Sequence, residues 1–360
     1  MRNASIEILR FAAAAGVLFV HFEQFCGVET PLFTKTFIVV EFFFCITGYY
    51  MMKSIDAKTS EPVVGESIRN SFGKAKRIYG LYFFTFVLMF ITRMVTSNIT
   101  NVNEIMSQLF HFKWELFMLQ MLGFNHNPQF NVDYLIAPGW YLSALFIALV
   151  PAYYLARHHK KAFIGFIGPL SVAMIYCYII QKYNTLNVGN ELVGGFIMLG
   201  VLRAFAGITF GALVYWIYKK LREIEFTKKQ GIVASIIEAA SYLTLVALIV
   251  LRDAMGDQDT LVYLAVYAIL IICGDLNITA IDRFLNKRLQ KICCYLGRLS
   301  MYIYLLHIIV VVLWQTYVGN FAGGWAYLIV FAAVFLFSVL VMYGQDKIRE
   351  HHKNKVEKYL

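Results

Sequence analysis

Arg10 and His21 stand eleven residues apart in EILRFAAAAGVLFVHF (residues 7–22), a run otherwise dominated by Ala, Val, Leu and Phe. At 3.6 residues per turn, eleven residues make almost three full turns, so the two side chains share one helix face about 16 Å apart along the axis. An Arg inside hydrocarbon costs roughly 2.5–3.5 kcal/mol on insertion scales, and a group that costly is usually retained for a purpose. An imidazole can act as general base toward a hydroxyl or take a group covalently. A guanidinium can hold the anionic end of a substrate. Glu23 falls off their common face. Glu41, in VVEFFFCITGYY, lies about one turn below the outer end of the next apolar stretch. In an antiparallel hairpin that depth matches His21, where a carboxylate would raise the basicity of the imidazole and fix its tautomer. The competing reading is a packing histidine and a snorkelling arginine.

Other polar residues stand out against apolar surroundings. Arg203, in FIMLGVLRAFAGITFGALVYW, is too deep for easy snorkelling, so it either faces a polar cavity or pairs with Glu238 of the next span. His307 sits mid-span in SMYIYLLHIIV, and Trp140 and Ser143 open the stretch GWYLSALF. Lys74, Lys76 and Arg77 cluster in SFGKAKRIYG. There is no Walker-type phosphate loop, GxSxG elbow or HExxH zinc site, which argues against nucleotide-driven transport and those hydrolytic routes. The six cysteines are scattered and no metal-ligand spacing is present, so neither a disulfide framework nor a metal is expected. Transfer chemistry, or transport through a polar cavity between helices, is what remains.

The elements that position these groups follow from composition. The chain of 360 residues is 59% hydrophobic and 15% charged, against nearer a quarter charged in a soluble domain. Stretches of about 20 apolar residues suffice to cross a bilayer as helix. Ten are predicted, at 6–25, 37–53, 78–97, 138–156, 162–181, 193–218, 231–251, 260–275, 298–315 and 323–345, with 260–275 the shortest. No alternating barrel strands occur. The fold class expected is therefore an all-α polytopic membrane bundle of about ten spans, with both termini cytoplasmic.

Charge supports that orientation. With the N-terminus inside, 25 of the 32 Lys and Arg fall on the inner side, from Arg2 through the runs 53–77, 157–161, 219–229 and 283–298 to the tail from Lys347 to Lys358. Outer loops keep only Lys35, Lys113, Lys182 and Arg252. The formal charge of +10 is thus a positive-inside signature, and no nucleic-acid partner is expected. The first span reads as uncleaved. A single integral domain is expected over 1–360, with an outer loop at 98–137 holding an interfacial or re-entrant helix and a basic cytoplasmic tail at 346–360.

Taken together, these motifs resemble the acyltransferase-3 family of integral membrane O-acyltransferases. RFAAAAGVLFVH is similar to its Arg-x10-His signature, and VEFFFCITGYYM to its second-helix motif, with Glu41 where Asp is usual. KRIYGLY, GWYLSALF, RAFAGITFG and LGRLSMYIYLLH resemble its later motifs in order. Leu145 stands where many members carry Glu, and the fused esterase-like domain of some members is not expected here. The resemblance implies transfer of an acyl group, with acetyl favoured, from cytoplasmic acyl-CoA to a hydroxyl of a cell-envelope glycan or precursor. Acyl-CoA is then a substrate, and no permanently bound cofactor is expected. His21 would be catalytic as base or nucleophile, with Glu41 orienting it. Arg10, Lys74, Lys76 and Arg77 would bind the donor. Trp140, Ser143, Arg203 and His307 would line the acceptor side, with Tyr49, Tyr79, Tyr141 and Tyr302 as further aromatic candidates. The alternative is a secondary transporter of a glycan intermediate or organic anion.

Overall fold

The computed structural model describes residues 3–28, 32–124, 134–250, 260–319 and 324–357. Arg2, Arg252 and Lys358 of the charge pattern, part of the outer loop and the end of the tail lie outside the described residues. In hydrocarbon every backbone polar group must be satisfied internally, so apolar runs of this length fold as helices. The helices are α1 (Ala4–Cys26), α2 (Val39–Asp56), α3 (Glu66–Thr96), α4 (Val102–His111), α5 (Gly139–His158), α6 (Gly168–Tyr183), α7 (Leu199–Leu221), α8 (Lys228–Val250), α9 (Thr260–Leu276), α10 (Gln290–Tyr317) and α11 (Gly324–Glu357). Among the described residues nine helical stretches are long and apolar enough to cross a membrane, and the apolar part of α9, Val262–Leu276, is shorter. The protein is an all-α polytopic membrane bundle.

Several boundaries differ from the sequence reading, each for a local reason. Gly65, at φ 77°, starts α3 twelve residues earlier than 78, and nothing in SIRNSFGKAKR breaks the helix. The basic run 74–77 therefore lies on α3 itself. The span placed at 193–218 begins instead with a hairpin of two strands, β1 (Leu192–Val193) and β2 (Ile197–Met198), paired antiparallel with Leu192 opposite Met198. Gly194 and Gly195 turn the chain with positive φ, and α7 starts only at Leu199. The stretch 346–357 continues α11 as helix.

Two helix pairs carry the bundle. α1 packs along α10, and α2 along α7; α5 bridges α7 and α3, while α3 also touches α10 and α11 flanks it. Small residues permit the closest crossing. A Cβ on Gly48 of α2 would overlap the Ile208 carbonyl of α7, and one on Gly211 would overlap the Cys45 carbonyl of α2. Close backbone approach of this kind is how helices gain packing where lipid supplies no hydrophobic drive between them. α4 buries none of its residues and exposes Val102, Met106, Leu109 and Phe110.

Asn3 caps α1, its side chain accepting from the Ser5 amide at 3.0 Å. The opposite end of α1 is anchored by Glu23, which accepts from the amides of Leu32 (2.7 Å) and Phe33 and from the Tyr327 hydroxyl at 2.9 Å. Arg298 of α10 pairs with Asp346 of α11, so the C-terminal part of α11 lies at the end of the bundle that holds the start of α10.

Candidate active site

The helix stripes decide what meets what. On α2, Phe43, Thr47 and Tyr50 form one stripe at spacings of four and three; Glu41, Cys45 and Gly48 form another. The first stripe faces a half-open cavity of about 300 Å³ lined by α1, α2, α3, α5 and α10. The second faces α7. Three cations, Arg10, Lys74 and Arg77, converge on the cavity, with Tyr141, Ser300 and Tyr304 among its walls. Lys74 and Arg77 are three apart on α3 and share a face. Arg10 is held by Glu7 of its own helix, at 3.1 Å to Oε2, with Glu7 buried against Gly297 of α10.

At the far end of the same α1 and α10 stripes stand His21 and His307. Tyr304 lines the cavity and its ring centroid lies 6.3 Å from that of His307, one turn further along α10. Nδ1 of His21 is 2.9 Å from the Val17 carbonyl, and Nδ1 of His307 is 3.1 Å from the Ile303 carbonyl. A carbonyl oxygen only accepts, so both Nδ1 atoms carry protons. Nε2 of His307 lies 3.2 Å from Nδ1 of His21 and must then accept from it. The contacts thereby place the single proton of a neutral ring on Nδ1 in both histidines, so that a neutral His21 carries its lone pair on Nε2. His307 is fully buried, whereas His21 is half-buried. Among the described residues no hydrogen bond occupies Nε2 of His21.

Glu41 is not beside His21. It is fully buried and bonds Arg203 Nε and the Tyr176 hydroxyl, because its stripe faces α7. Arg203 accordingly pairs with Glu41 and not with Glu238; its Nη1 donates to the Val188 carbonyl at 3.0 Å, and its guanidinium lies 5.6 Å from the Trp140 ring centroid. The side chain that meets His21 Nδ1 is instead His307. Trp140 packs against Gly189 and Gly200, and Ser143 accepts from the Met121 amide at 3.1 Å, so neither lines the cavity of Arg10. Lys76 points a different way from Lys74 and Arg77, into an apolar groove with Phe72 and Tyr79, since neighbouring helix positions are about 100° apart. Leu145 makes an apolar wall of the cavity. Of the aromatic candidates, Tyr141 lines the cavity, Tyr49 bonds Asp275 at 2.7 Å, and Tyr302 bonds Gln345 at 3.0 Å.

Thr47, Tyr50, Ser300 and Tyr304 are cavity residues that were not singled out from the sequence. Their signal was positional, since they fall on the stripes of Phe43 and His307. Among the described residues no group of three or more His, Cys, Asp or Glu could hold a metal ion.

Cations on the wall of a half-open cavity and an imidazole further along the same helix stripes suit transfer of a group carried by an anionic donor. The profile of the acyltransferase domain family, Acyl_transf_3, matches residues 3–343, nearly the whole chain, and the protein belongs to that family. It is a multi-pass membrane acyltransferase. Neither the curated proteins nor the solved structures gave a match.

Proposed function

We propose that this acyltransferase moves an acyl group, most simply acetyl, from acyl-CoA to a hydroxyl of a cell-envelope glycan or glycan precursor. The observation that carries the reading is the His21–His307 pair, 3.2 Å apart, on the helix stripes that also bear Arg10 and Ser300. The bundle end with Arg10, Lys74 and Arg77 faces the cytoplasm in this proposal, in keeping with the positive-inside distribution of charge. Donor phosphates lie against these cations, and the thioester reaches toward His21 along the stripe.

Nε2 of His21 takes the proton of the acceptor hydroxyl as its oxygen attacks the thioester carbonyl. The carbon–sulfur bond breaks, and the departing thiolate recovers the proton from the imidazolium. In the charged intermediate state Nδ1–H of His21 donates to Val17 and His307, so the positive charge develops where acceptors already point.

The test is mass spectrometry of surface glycans from cells expressing the wild-type chain, the His21→Ala variant, or neither. Wild-type cells should carry an acyl modification that the other two lack. Acylation that persists with His21→Ala, or glycans identical in all three, would overturn the reading.

A further inference from the structure

A second cavity of about 600 Å³ opens at the same end of the bundle as Arg10, between the α7–α8 loop and the segment that follows α9. Arg222, Lys228 and Arg283 line it, together with the rings of Tyr218 and Phe226. Among the described residues none of the three cations is engaged in an ion pair. The one carboxylate on the wall, Asp275, is taken: it accepts from the Tyr49 hydroxyl at 2.7 Å and pairs with Lys53.

The two cavities are neighbours. Tyr50 lines the first and Tyr218 the second, and Lys53 Nζ lies 5.9 Å from the ring centroid of Tyr50 and 5.6 Å from that of Tyr218. Lys53 of α2 thus lies within 5.9 Å of the centre of a wall ring of each cavity. The framework under the second cluster is ordered. Thr227 and Gln230 form a reciprocal capping box at the start of α8, the Thr227 amide donating to Gln230 Oε1 at 2.8 Å and the Gln230 amide to Thr227 Oγ1 at 3.3 Å. Arg283 follows Asp282, which is buried and accepts from the hydroxyls of Ser5 and Thr279, the latter at 2.8 Å.

We propose that this second cavity holds the 3′-phosphorylated adenosine of the acyl-CoA donor, which rests on the donor reading above. Coenzyme A carries phosphate in two separate places, a diphosphate on the arm side of the ribose and a monoester on its 3′ oxygen. Two cationic clusters at one end of the bundle, with Lys53 close to a wall ring of each cavity, match that division. The diphosphate and pantetheine arm occupy the Arg10 cavity, and the monoester meets Arg222, Lys228 and Arg283. Tyr218 and Phe226 offer ring faces to the adenine. Phosphate of an anionic lipid headgroup presents the same chemistry, so the test separates the two sources.

Wild type and the Arg222→Ala/Arg283→Ala double variant are compared in nanodiscs of phosphatidylcholine alone and of phosphatidylcholine with phosphatidylglycerol. Donors are acetyl-CoA, its 3′-dephospho form and S-acetylpantetheine, and kcat/KM is read for each. Loss of the 3′-phosphate should cost the wild type about five- to tenfold, the scale of a few partly solvated charge-assisted contacts. The double variant should show that loss already with acetyl-CoA and no further loss with the dephospho donor. Equal use of both nucleotide donors by the wild type overturns the inference, as does a variant defect of equal size on all three donors. A defect seen only in the anionic discs assigns the cavity to lipid instead. In each of those cases acetyl-CoA remains a donor; a wild-type protein that uses none of the three thioesters defeats the donor reading itself.

Discussion

Nε2 of His307 lies 3.2 Å from Nδ1 of His21, across the contact between α10 and α1. The pairing is the histidine–acceptor arrangement by which enzymes fix a tautomer, built here from a second imidazole rather than from a carboxylate. It leaves Nε2 of His21 as the atom that the proposed mechanism uses.

In the proposed mechanism His307 is a positioning residue. His307→Ala should lower kcat on the order of ten- to a hundredfold, the usual effect of removing the partner that orients a functional histidine, with the donor KM unchanged. His307→Gln, whose amide oxygen can accept from Nδ1, should recover part of the loss. Steady-state kinetics on the three proteins checks this. A rise in KM with kcat intact, or no rescue by Gln, would show that the ring only fills space. His21→Ala should cost more, about 10²- to 10⁴-fold, as expected for a general base.

General-base transfer passes the acyl group directly between substrates. Protein incubated with radiolabelled acyl-CoA in the absence of acceptor should therefore carry no label after rapid denaturation. Label that tracks with His21 and is discharged by acceptor would establish a covalent acyl-imidazole route instead.

Arg10, Lys74 and Arg77 meet at one cavity, whereas Lys76 faces the apolar groove. Alanine at Arg10 or Arg77 should weaken coenzyme A binding about tenfold or more, the scale of a hydrogen bond to a charged group. Lys76→Ala should leave it within about twofold. Calorimetric titration of coenzyme A into the detergent-solubilised proteins gives the comparison, and equal effects at Lys76 and Arg77 would contradict the placement.

The Glu41–Arg203 pair is fully buried, with Tyr176 as a third partner. Removing one member strands the other, so Arg203→Met should destabilise the fold by about 3–5 kcal/mol. Combining it with Glu41→Gln should return much of that loss. Thermal unfolding in detergent reads both values; additive losses in the double variant would mean the two side chains do not act as a pair.

Much of this was legible in one dimension. Apolar runs separated by turns dictate membrane helices because hydrocarbon leaves the backbone no other partner, and the eleven-residue spacing of Arg10 and His21 places them on one face whatever the neighbours are. The ordered motifs were enough to suggest the family. Periodicity within one helix does not say which neighbour a stripe will face. Glu41 has the right depth for His21, yet Gly48 on its own stripe lets α7 approach that side, so the carboxylate meets Arg203. Similarly, only the side-by-side packing of α1 and α10 brings together two histidines 286 residues apart in sequence. Local spacing determined which groups share a face; long-range helix packing decided which faces share a site.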